Sequence, residues 1–229
     1  MSHPVILEMK GIVKSFGPVK ALKGVDLDLR AGEVHALMGE NGAGKSTLMK
    51  VLTGIHDANE GTIHYNGKQV TYSKPKDAME DGIVIVHQEL NMMNHLTVAQ
   101  NIFIGREEFR HNWLIDDGAS IKKAKKLFDL LKLDINPTEK VGNLTVGKQQ
   151  MVEIAKALSM DAKVIVFDEP TAALTESEIN ELFVIIDDLR SKGVGIIYIS
   201  HRMDEIARIT DRVTVMRDGE YVGTVNTKE

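Results

Sequence analysis

Residues 39–46 restrict the possible folds of this chain more than any other segment. They read Gly-Glu-Asn-Gly-Ala-Gly-Lys-Ser, which fits the pattern G-x-x-x-x-G-K-[S/T]. Residues 33–38 are predicted to form a strand that runs into the segment, and the spacing of Leu48, Val51 and Leu52 predicts a helix after it. Glycines allow backbone N–H groups to close around phosphate oxygens, and a helix N-terminus adds a positive end. The sequence therefore predicts a phosphate-binding loop between a strand and a helix.

Two side chains of this loop, Lys45 and Ser46, are expected to add a positive charge and a metal ligand to the backbone N–H groups. We expect Lys45 to reach the β- and γ-phosphates of a nucleotide and the Ser46 hydroxyl to bind Mg²⁺. A dinucleotide-binding fold is a rival, because Gly42 and Gly44 begin its fingerprint, but Thr47 stands where that fingerprint requires a third glycine. The predicted nucleotide-binding residues are Gly39, Glu40, Asn41, Gly42, Ala43, Gly44, Lys45, Ser46 and Thr47.

Two adjacent carboxylates follow a second apolar run. Residues 164–167 read Val-Ile-Val-Phe, and Asp168 and Glu169 come next. The carboxyl ends of parallel strands border the ligand crevice of an α/β sheet. We therefore expect Asp168 to complete the Mg²⁺ shell and Glu169 to orient or deprotonate an attacking water. A solvated pair of acids at a strand end is the alternative, and the phosphate loop argues against it.

The order of the predicted elements indicates an α/β protein. Strands alternate with helices on both sides of a middle segment, about 89–159, in which helical spacing dominates. Such alternation is typical of a mostly parallel sheet. Turns at Asn66-Gly67 and Asp218-Gly219 predict hairpins, and residues 175–178 (Thr-Glu-Ser-Glu) predict a capping box that opens a helix.

Composition narrows the functional classes. The chain has 229 residues, a net charge of −5 and no cysteine, which excludes disulfides and thiolate metal sites. A mildly acidic chain is a poor general binder of nucleic acid, so we expect no nucleic-acid partner. The apolar runs have strand length and the first residues lack the layout of a signal peptide, so we expect a soluble, cytoplasmic protein. One lysine-rich helix face is interpreted as solvated, namely Lys122, Lys123, Lys125 and Lys126.

Further segments give the chain a family resemblance. Residues 86–89, 144–150 and 198–201 resemble the glutamine loop, the signature motif and the switch-histidine loop of the ATP-binding subunits of ABC transporters. The resemblance covers nearly the whole chain. It implies a P-loop NTPase fold of the ABC type, with a mostly parallel core sheet, an N-terminal antiparallel β-subdomain and an inserted α-helical subdomain. The implied single nucleotide-binding domain over 1–229 has its core and β part in 1–88 and 160–229, and its helical subdomain in about 89–159.

The resemblance also implies a role for each matched residue. In this family two nucleotide-binding domains sandwich two ATP molecules, so Thr145 and Gly147 would act in trans on a γ-phosphate held by the partner domain. His201 would hold the γ-phosphate and the water, and Gln88 would touch Mg²⁺ and report its state to a membrane partner. The implied cofactors are ATP and Mg²⁺. The implied catalytic residues are Glu169, His201 and Lys45, the implied metal ligands are Ser46, Gln88 and Asp168, and Phe16 would stack on adenine.

A narrower resemblance concerns the transported substrate. Residues 87–91, 101–107, 149–158 and 198–203 look like those of monosaccharide importers of the ribose, galactose and xylose type. The implied protein is an ATPase subunit, peripheral on the cytoplasmic face of the membrane, whose permease partner docks between Gln88 and Leu96. Such importers usually carry two nucleotide-binding domains in one polypeptide, so we expect this chain to be the N-terminal half. A lone domain that pairs with a second copy of itself is the alternative.

The chain also departs from the family pattern. The usual signature reads Leu-Ser-Gly-Gly-Gln, whereas here Val146 and Lys148 replace the first glycine and the glutamine, and Thr175 stands where many relatives have Asp. Two other functions are weighed against transport. A soluble ABC protein of translation or DNA repair would need a coiled coil or a basic surface, which the sequence does not indicate. A small-molecule kinase is disfavoured by the acidic pair, the signature segment and His201.

Overall fold

The computed structural model describes residues 3–88, 90–110 and 114–227, so Glu89 of the glutamine-loop segment lies outside the described residues. The contacts between residues divide the chain into two compact units. The first unit comprises Met1–Ile85, Ala162–Glu169 and Ile186–Glu229. The second unit comprises Val86–Asp161 and Pro170–Ile185. The predicted core and β part include all of 160–229, whereas the contacts group Pro170–Ile185 with the second unit.

The first unit begins with a four-stranded antiparallel sheet in the order β2-β1-β4-β5. Inward and outward residues alternate along its long strands, which gives each strand one buried face. Asn66 and Gly67 both have positive φ, 49° and 75°, and form the predicted two-residue turn between β4 and β5. The strands are β1 (Val5–Phe16), β2 (Val19–Arg30), β4 (Glu60–Tyr65) and β5 (Lys68–Val70).

The second sheet has six strands in the order β12-β11-β3-β10-β9-β6. β10 pairs in parallel with β3 and β9, β11 pairs in parallel with β3, and β12 is antiparallel to β11. The expected α/β fold with a mostly parallel sheet and an antiparallel β part is thereby confirmed. The strands are β3 (Val34–Met38), β6 (Ile83–Val86), β9 (Val164–Asp168), β10 (Gly195–Ile199), β11 (Arg212–Arg217) and β12 (Glu220–Asn226).

The core of the first unit lies on both faces of β3. On one face, Leu37 joins a large apolar cluster that includes Leu48 of the helix α1 and residues of the antiparallel sheet. On the other face, Ala36 packs with Ile206 of the helix α7. Burial on both faces explains why the central strands read as continuous apolar runs. The helices of this unit are α1 (Lys45–Leu52), α2 (Pro75–Glu80) and α7 (Met203–Ile209).

The second unit is mostly helical, and side chains define the starts of its helices. Thr97 and Gln100 form a capping box at α3, while the Asp116 and Thr145 side chains cap α4 and α5. Its elements are α3 (Val98–Phe103), the short hairpin β7 (Phe109–Arg110) and β8 (Leu114–Ile115), α4 (Asp117–Leu131), a 3₁₀ turn (Val141–Asn143) and α5 (Val146–Leu158). The helix α6 (Glu176–Ser191) begins in this unit and ends in the first.

Within the part of the chain that the structure describes, no helix combines the length and the apolar character that crossing a membrane requires.

Burial of one histidine makes the stability of the first unit depend on pH. His35 on β3 is fully buried, with Nε2 2.7 Å from Thr214 Oγ1. Its pKa is lowered to about 3, chiefly because burial disfavours the charged ring and also because the Arg212 guanidinium is near. The unfolded chain takes up a proton on this ring below pH ~6.5, while the folded chain does not until about pH 3. This group therefore stabilises the fold at neutral pH, and that contribution is lost as the pH falls.

We expect His35→Gln to flatten the pH dependence of the free energy of unfolding between pH 7 and 5. The difference in slope should approach ~1.4 kcal/mol per pH unit at the acidic end, the value for one proton. Urea unfolding at several pH values measures it, with the exposed His95→Gln as the matched control. The measurements stay above pH 5 because burial raises the pKa of the adjacent Glu33. Protonation of Glu33 stabilises the folded state as the pH falls, which would oppose the effect of His35. Parallel curves for the unaltered protein and His35→Gln would contradict this account.

Candidate nucleotide-binding site

The predicted phosphate loop joins β3 to α1, and its glycines are required for two reasons. Gly42 and Gly44 have φ of 86° and 99°, in the left-handed region that glycine adopts without strain. A Cβ on Gly39 would collide with the Met216 carbonyl, and one on Gly44 would lie 2.8 Å from the Ala21 carbonyl oxygen. The backbone can therefore curve tightly enough to turn successive N–H groups towards an anion.

Lys45 closes this loop from within. Its Nζ donates to the carbonyl oxygens of Gly39, at 2.6 Å, and Glu40, at 3.0 Å, and the residue is 8% exposed. Among the described residues no side chain caps the N-terminus of α1, where Gly44 is the N-cap residue. Uncapped N–H groups beside an ammonium form a cradle suited to a polyphosphate.

Ser46 and Asp168 meet at the edge of this cradle. The Ser46 hydroxyl donates to Asp168 Oδ2 at 3.4 Å, and Asp168 ends β9 in register with Ile199 of β10. Hydroxyl and carboxylate oxygens are ligands that Mg²⁺ prefers, so the two residues fit the metal. No group of three or more His, Cys, Asp or Glu side chains among the described residues could hold a metal ion. Phosphate oxygens and water would therefore have to supply most of the remaining ligands.

Glu169 and His201 are brought together by neighbouring parallel strands. His201 Nδ1 lies 3.1 Å from Glu169 Oε1, a geometry in which the ring N–H donates to the carboxylate. The Glu169 side chain is 18% exposed, whereas that of His201 is 70% exposed. A partly buried carboxylate next to an exposed imidazole can take a proton from a water and hold that water in place.

The backbone of Glu169 is unusual. Its φ is 47°, in the left-handed region, although Pro170 follows it and disfavours helical conformations of the preceding residue. The Glu169 N–H donates to the Ile199 carbonyl at 3.0 Å, which holds the residue in this conformation. Strain of this kind occurs most often at functional sites.

Phe16, the expected adenine-stacking residue, lies at the end of β1 and is 44% exposed. The ring of His56 packs edge-on against it with 5.0 Å between centroids, and Lys14 Nζ is 5.3 Å from the Phe16 centroid. The Ser15 N–H donates to Asn59 Oδ1 at 2.7 Å, which ties this strand end to the loop that carries His56. The sequence analysis missed His56, because nothing in its local pattern marks it as a neighbour of Phe16.

The signature segment lies in the second unit, at the start of α5. Thr145 is the N-cap, its hydroxyl accepts from the Lys148 N–H at 3.3 Å, and Val146 is the first helical residue with 54% of its surface exposed. Lys148 Nζ donates to the Asp134 carbonyl at 3.4 Å within the same unit. Val146 therefore has an ordinary helical conformation that needs no glycine. The Lys148 ammonium is engaged by a carbonyl of the second unit.

Gly147 is buried against a carboxylate. A Cβ at this position would collide with both carboxylate oxygens of Glu178. The Thr175 N–H donates to Glu178 Oε2 at 2.8 Å and the Glu178 N–H donates to the Thr175 hydroxyl at 3.4 Å, which confirms the predicted capping box, and the Thr175 hydroxyl also donates to Glu178 Oε2 at 2.9 Å. The contact between Glu178 and Gly147 is a second role of this box that the sequence does not reveal.

Gln88 and the segment after it also belong to the second unit. Gln88 is exposed, and Met93 is 47% exposed. The buried Asn101 holds this segment, since its Oδ1 accepts from the Met93 N–H at 2.8 Å and its Nδ2 donates to the Met93 carbonyl at 3.1 Å. Asn101 was not among the predicted site residues, although it fixes the backbone of the proposed docking segment.

Comparison with known proteins was made for sequence and for structure. The sequence profile of the ABC transporter family matches residues 22–172. A ribose/galactose/methyl galactoside import ATP-binding protein of Burkholderia lata is 58% identical over 97% of this chain and 44% of its own length. The ribose import ATP-binding protein RbsA of Geobacillus kaustophilus is 53% identical over 98% of this chain and 46% of its own length. The chain therefore spans less than half the length of these two relatives.

A solved structure agrees with this assignment. The ADP conformation of an ATP-binding cassette of an ABC transporter matches with a TM-score of 0.86 and 33% identity, over 97% of this chain and 91% of the other. On its sequence and its fold, this chain belongs to the ABC transporter family.

Proposed function

We propose that this chain is the ATP-binding and ATP-hydrolysing domain that energises an importer of monosaccharides. The contact between Glu169 and His201 is the main support for this proposal, because a carboxylate that could act as a base and an imidazole that could orient a water lie together at strand ends near Ser46 of the phosphate loop. The names of the two relatives support import of ribose or galactose as the substrate class. The protein would work peripherally, on the cytoplasmic face of the membrane.

The geometry supports a division of labour among the residues of the first unit. The N–H groups of the loop and Lys45 would bind the β- and γ-phosphates, and the exposed ring of Phe16 would stack on adenine. Ser46 and Asp168 would hold Mg²⁺, which when bound neutralises charge on the phosphate oxygens. Glu169 would accept a proton from the attacking water while His201 holds that water and the γ-phosphate in line.

Residues of the second unit would complete a site on another domain. The N-terminus of α5, with Thr145 and Gly147, would face the γ-phosphate bound by a second nucleotide-binding domain. That domain would come from the same polypeptide, since the two relatives are more than twice as long as the matched region. Gln88 would contact Mg²⁺, and the segment from Gln88 to Leu96 would dock a membrane-spanning permease through its partly exposed methionines.

Glu169→Gln tests the proposed hydrolysis directly. The amide keeps the size of the side chain but cannot accept the proton, so ATP turnover should fall by ~10²-fold or more while nucleotide binding is retained. Phosphate release and a fluorescent-nucleotide titration measure the two quantities. Glu181→Gln, an exposed residue of α6, is the matched control and should hydrolyse normally. Full turnover by Glu169→Gln would remove Glu169 from the mechanism.

Lys45→Ala should weaken ATP binding rather than hydrolysis alone. The ammonium lies inside the loop, so its loss removes a charge-assisted contact worth ~1.5–3 kcal/mol, or about 10–150-fold in affinity. Isothermal titration with ATP measures the change. Lys50→Ala alters an exposed lysine of the same helix and should bind ATP as the unaltered protein does. Equal affinities for the two variants would contradict the assignment of Lys45.

Val146→Gly tests whether the altered signature weakens the site. Because Val146 is an exposed first residue of α5, the substitution should change ATP turnover only slightly. A gain above about tenfold, ~1.4 kcal/mol, would show that Val146 holds the signature in a poor geometry. If the native protein carries a second nucleotide-binding domain, as proposed above, turnover is best measured in that longer protein.

A further inference from the structure

One buried carboxylate of the first unit has no part in the mechanism above. Glu205 lies in the first turn of α7 and is 2% exposed. The Tyr198 hydroxyl donates to its Oε2 at 2.8 Å, the Ser200 hydroxyl donates to the same oxygen at 3.1 Å, and Arg202 Nη1 lies 2.9 Å from Oε1. A buried carboxylate is costly unless it is paired and hydrogen-bonded, and here Oε2 accepts two hydrogen bonds while Oε1 forms an ion pair with Arg202 but no hydrogen bond.

Two of the three partners of Glu205, Ser200 and Arg202, flank His201 in the sequence. Ser200 precedes His201 and Arg202 follows it, and the Arg202 N–H donates to the Ser200 hydroxyl at 3.0 Å. Tyr198 is fully buried in β10, between β3 and β9. The carboxylate thus links both chain neighbours of His201 to a rigid strand and to a helix.

His201 itself contributes little to its own placement. Its side chain is 70% exposed, and Nδ1 lies 3.1 Å from Glu169 Oε1. The backbone sets the positions that the rotamers of a side chain can reach, so an exposed imidazole on a loop meets Glu169 only when the backbone beneath it is correctly placed. The network around Glu205 fixes that backbone on both sides of the residue.

We propose that Glu205 is a positioning residue that holds the His201 loop so that the imidazole faces Glu169. This inference rests on the proposed function, since it gives His201 a role in hydrolysis. Glu205 does not touch the nucleotide and acts only through Ser200 and Arg202. Its loss should therefore lower kcat and leave the affinity for ATP unchanged.

Two variants and one control separate positioning from general stability. Ser200→Ala removes the link next to His201, and Glu205→Gln removes the charge that pairs with Arg202. The control is Thr210→Val, which deletes a hydroxyl of a residue that is also 2% exposed, at the other end of α7, where it donates to the Ile206 carbonyl. We expect kcat to fall about tenfold in Ser200→Ala and Glu205→Gln, with KM for ATP within about twofold. Thr210→Val should lower the melting temperature comparably and keep its kcat.

A second readout does not require hydrolysis. The His201 ring signal in a ¹H–¹³C NMR spectrum, assigned with His201→Ala, should shift or broaden in Ser200→Ala and Glu205→Gln but not in Thr210→Val. An unchanged His201 signal in both variants would overturn the inference.

The outcomes distinguish this inference from the proposed function. The proposed function would be refuted if the unaltered protein did not hydrolyse ATP. The role of His201 in hydrolysis would be refuted if His201→Ala kept its full kcat. In either case the His201 ring signal would still decide whether Glu205 positions the loop. If His201→Ala is slow while Ser200→Ala and Glu205→Gln keep full kcat, the positioning role alone is refuted.

Discussion

The parallel register of β3, β9 and β10 is the constraint on which the site depends. Ile199 of β10 pairs with Leu37 of β3 on one side and with Asp168 of β9 on the other, so the three strands end at the same level. The phosphate loop, the acidic pair and His201 each lie within a few residues of this level. Residues from three distant parts of the chain therefore meet without long or flexible connections.

Close backbone approach is the second constraint. At Gly39, Gly44 and Gly147 the space for a side chain is already filled by another part of the same unit. The conformation of the phosphate loop therefore depends on the backbone packed against Gly39 and Gly44 as well as on the freedom of the glycines to take positive φ. Lys45 donates to the loop carbonyls of Gly39 and Glu40, so its ammonium already lies inside the loop in this structure.

The parts of the structure that depend on neighbours in sequence could be predicted from the sequence. The phosphate loop, the turns at 66–67 and 218–219 and the capping box at 175–178 all follow from residues within a few positions of one another. The contacts of Phe16 with His56 and of Gly147 with Glu178 could not be predicted, because they depend on how elements far apart in the sequence pack. The left-handed backbone conformation of Glu169 could not be predicted either, because a residue before proline is normally expected to be extended.

The contact between Gly147 and Glu178 has a consequence for how the signature segment can vary. The atoms that a side chain at 147 would meet form the far end of the Glu178 side chain, which moves aside only by giving up its hydrogen bonds to Thr175. A residue larger than glycine would therefore weaken the capping box of α6 rather than leave it intact. Positions 147, 175 and 178 are coupled in this way, so that a side chain at 147 costs least where the residue at 178 is shorter.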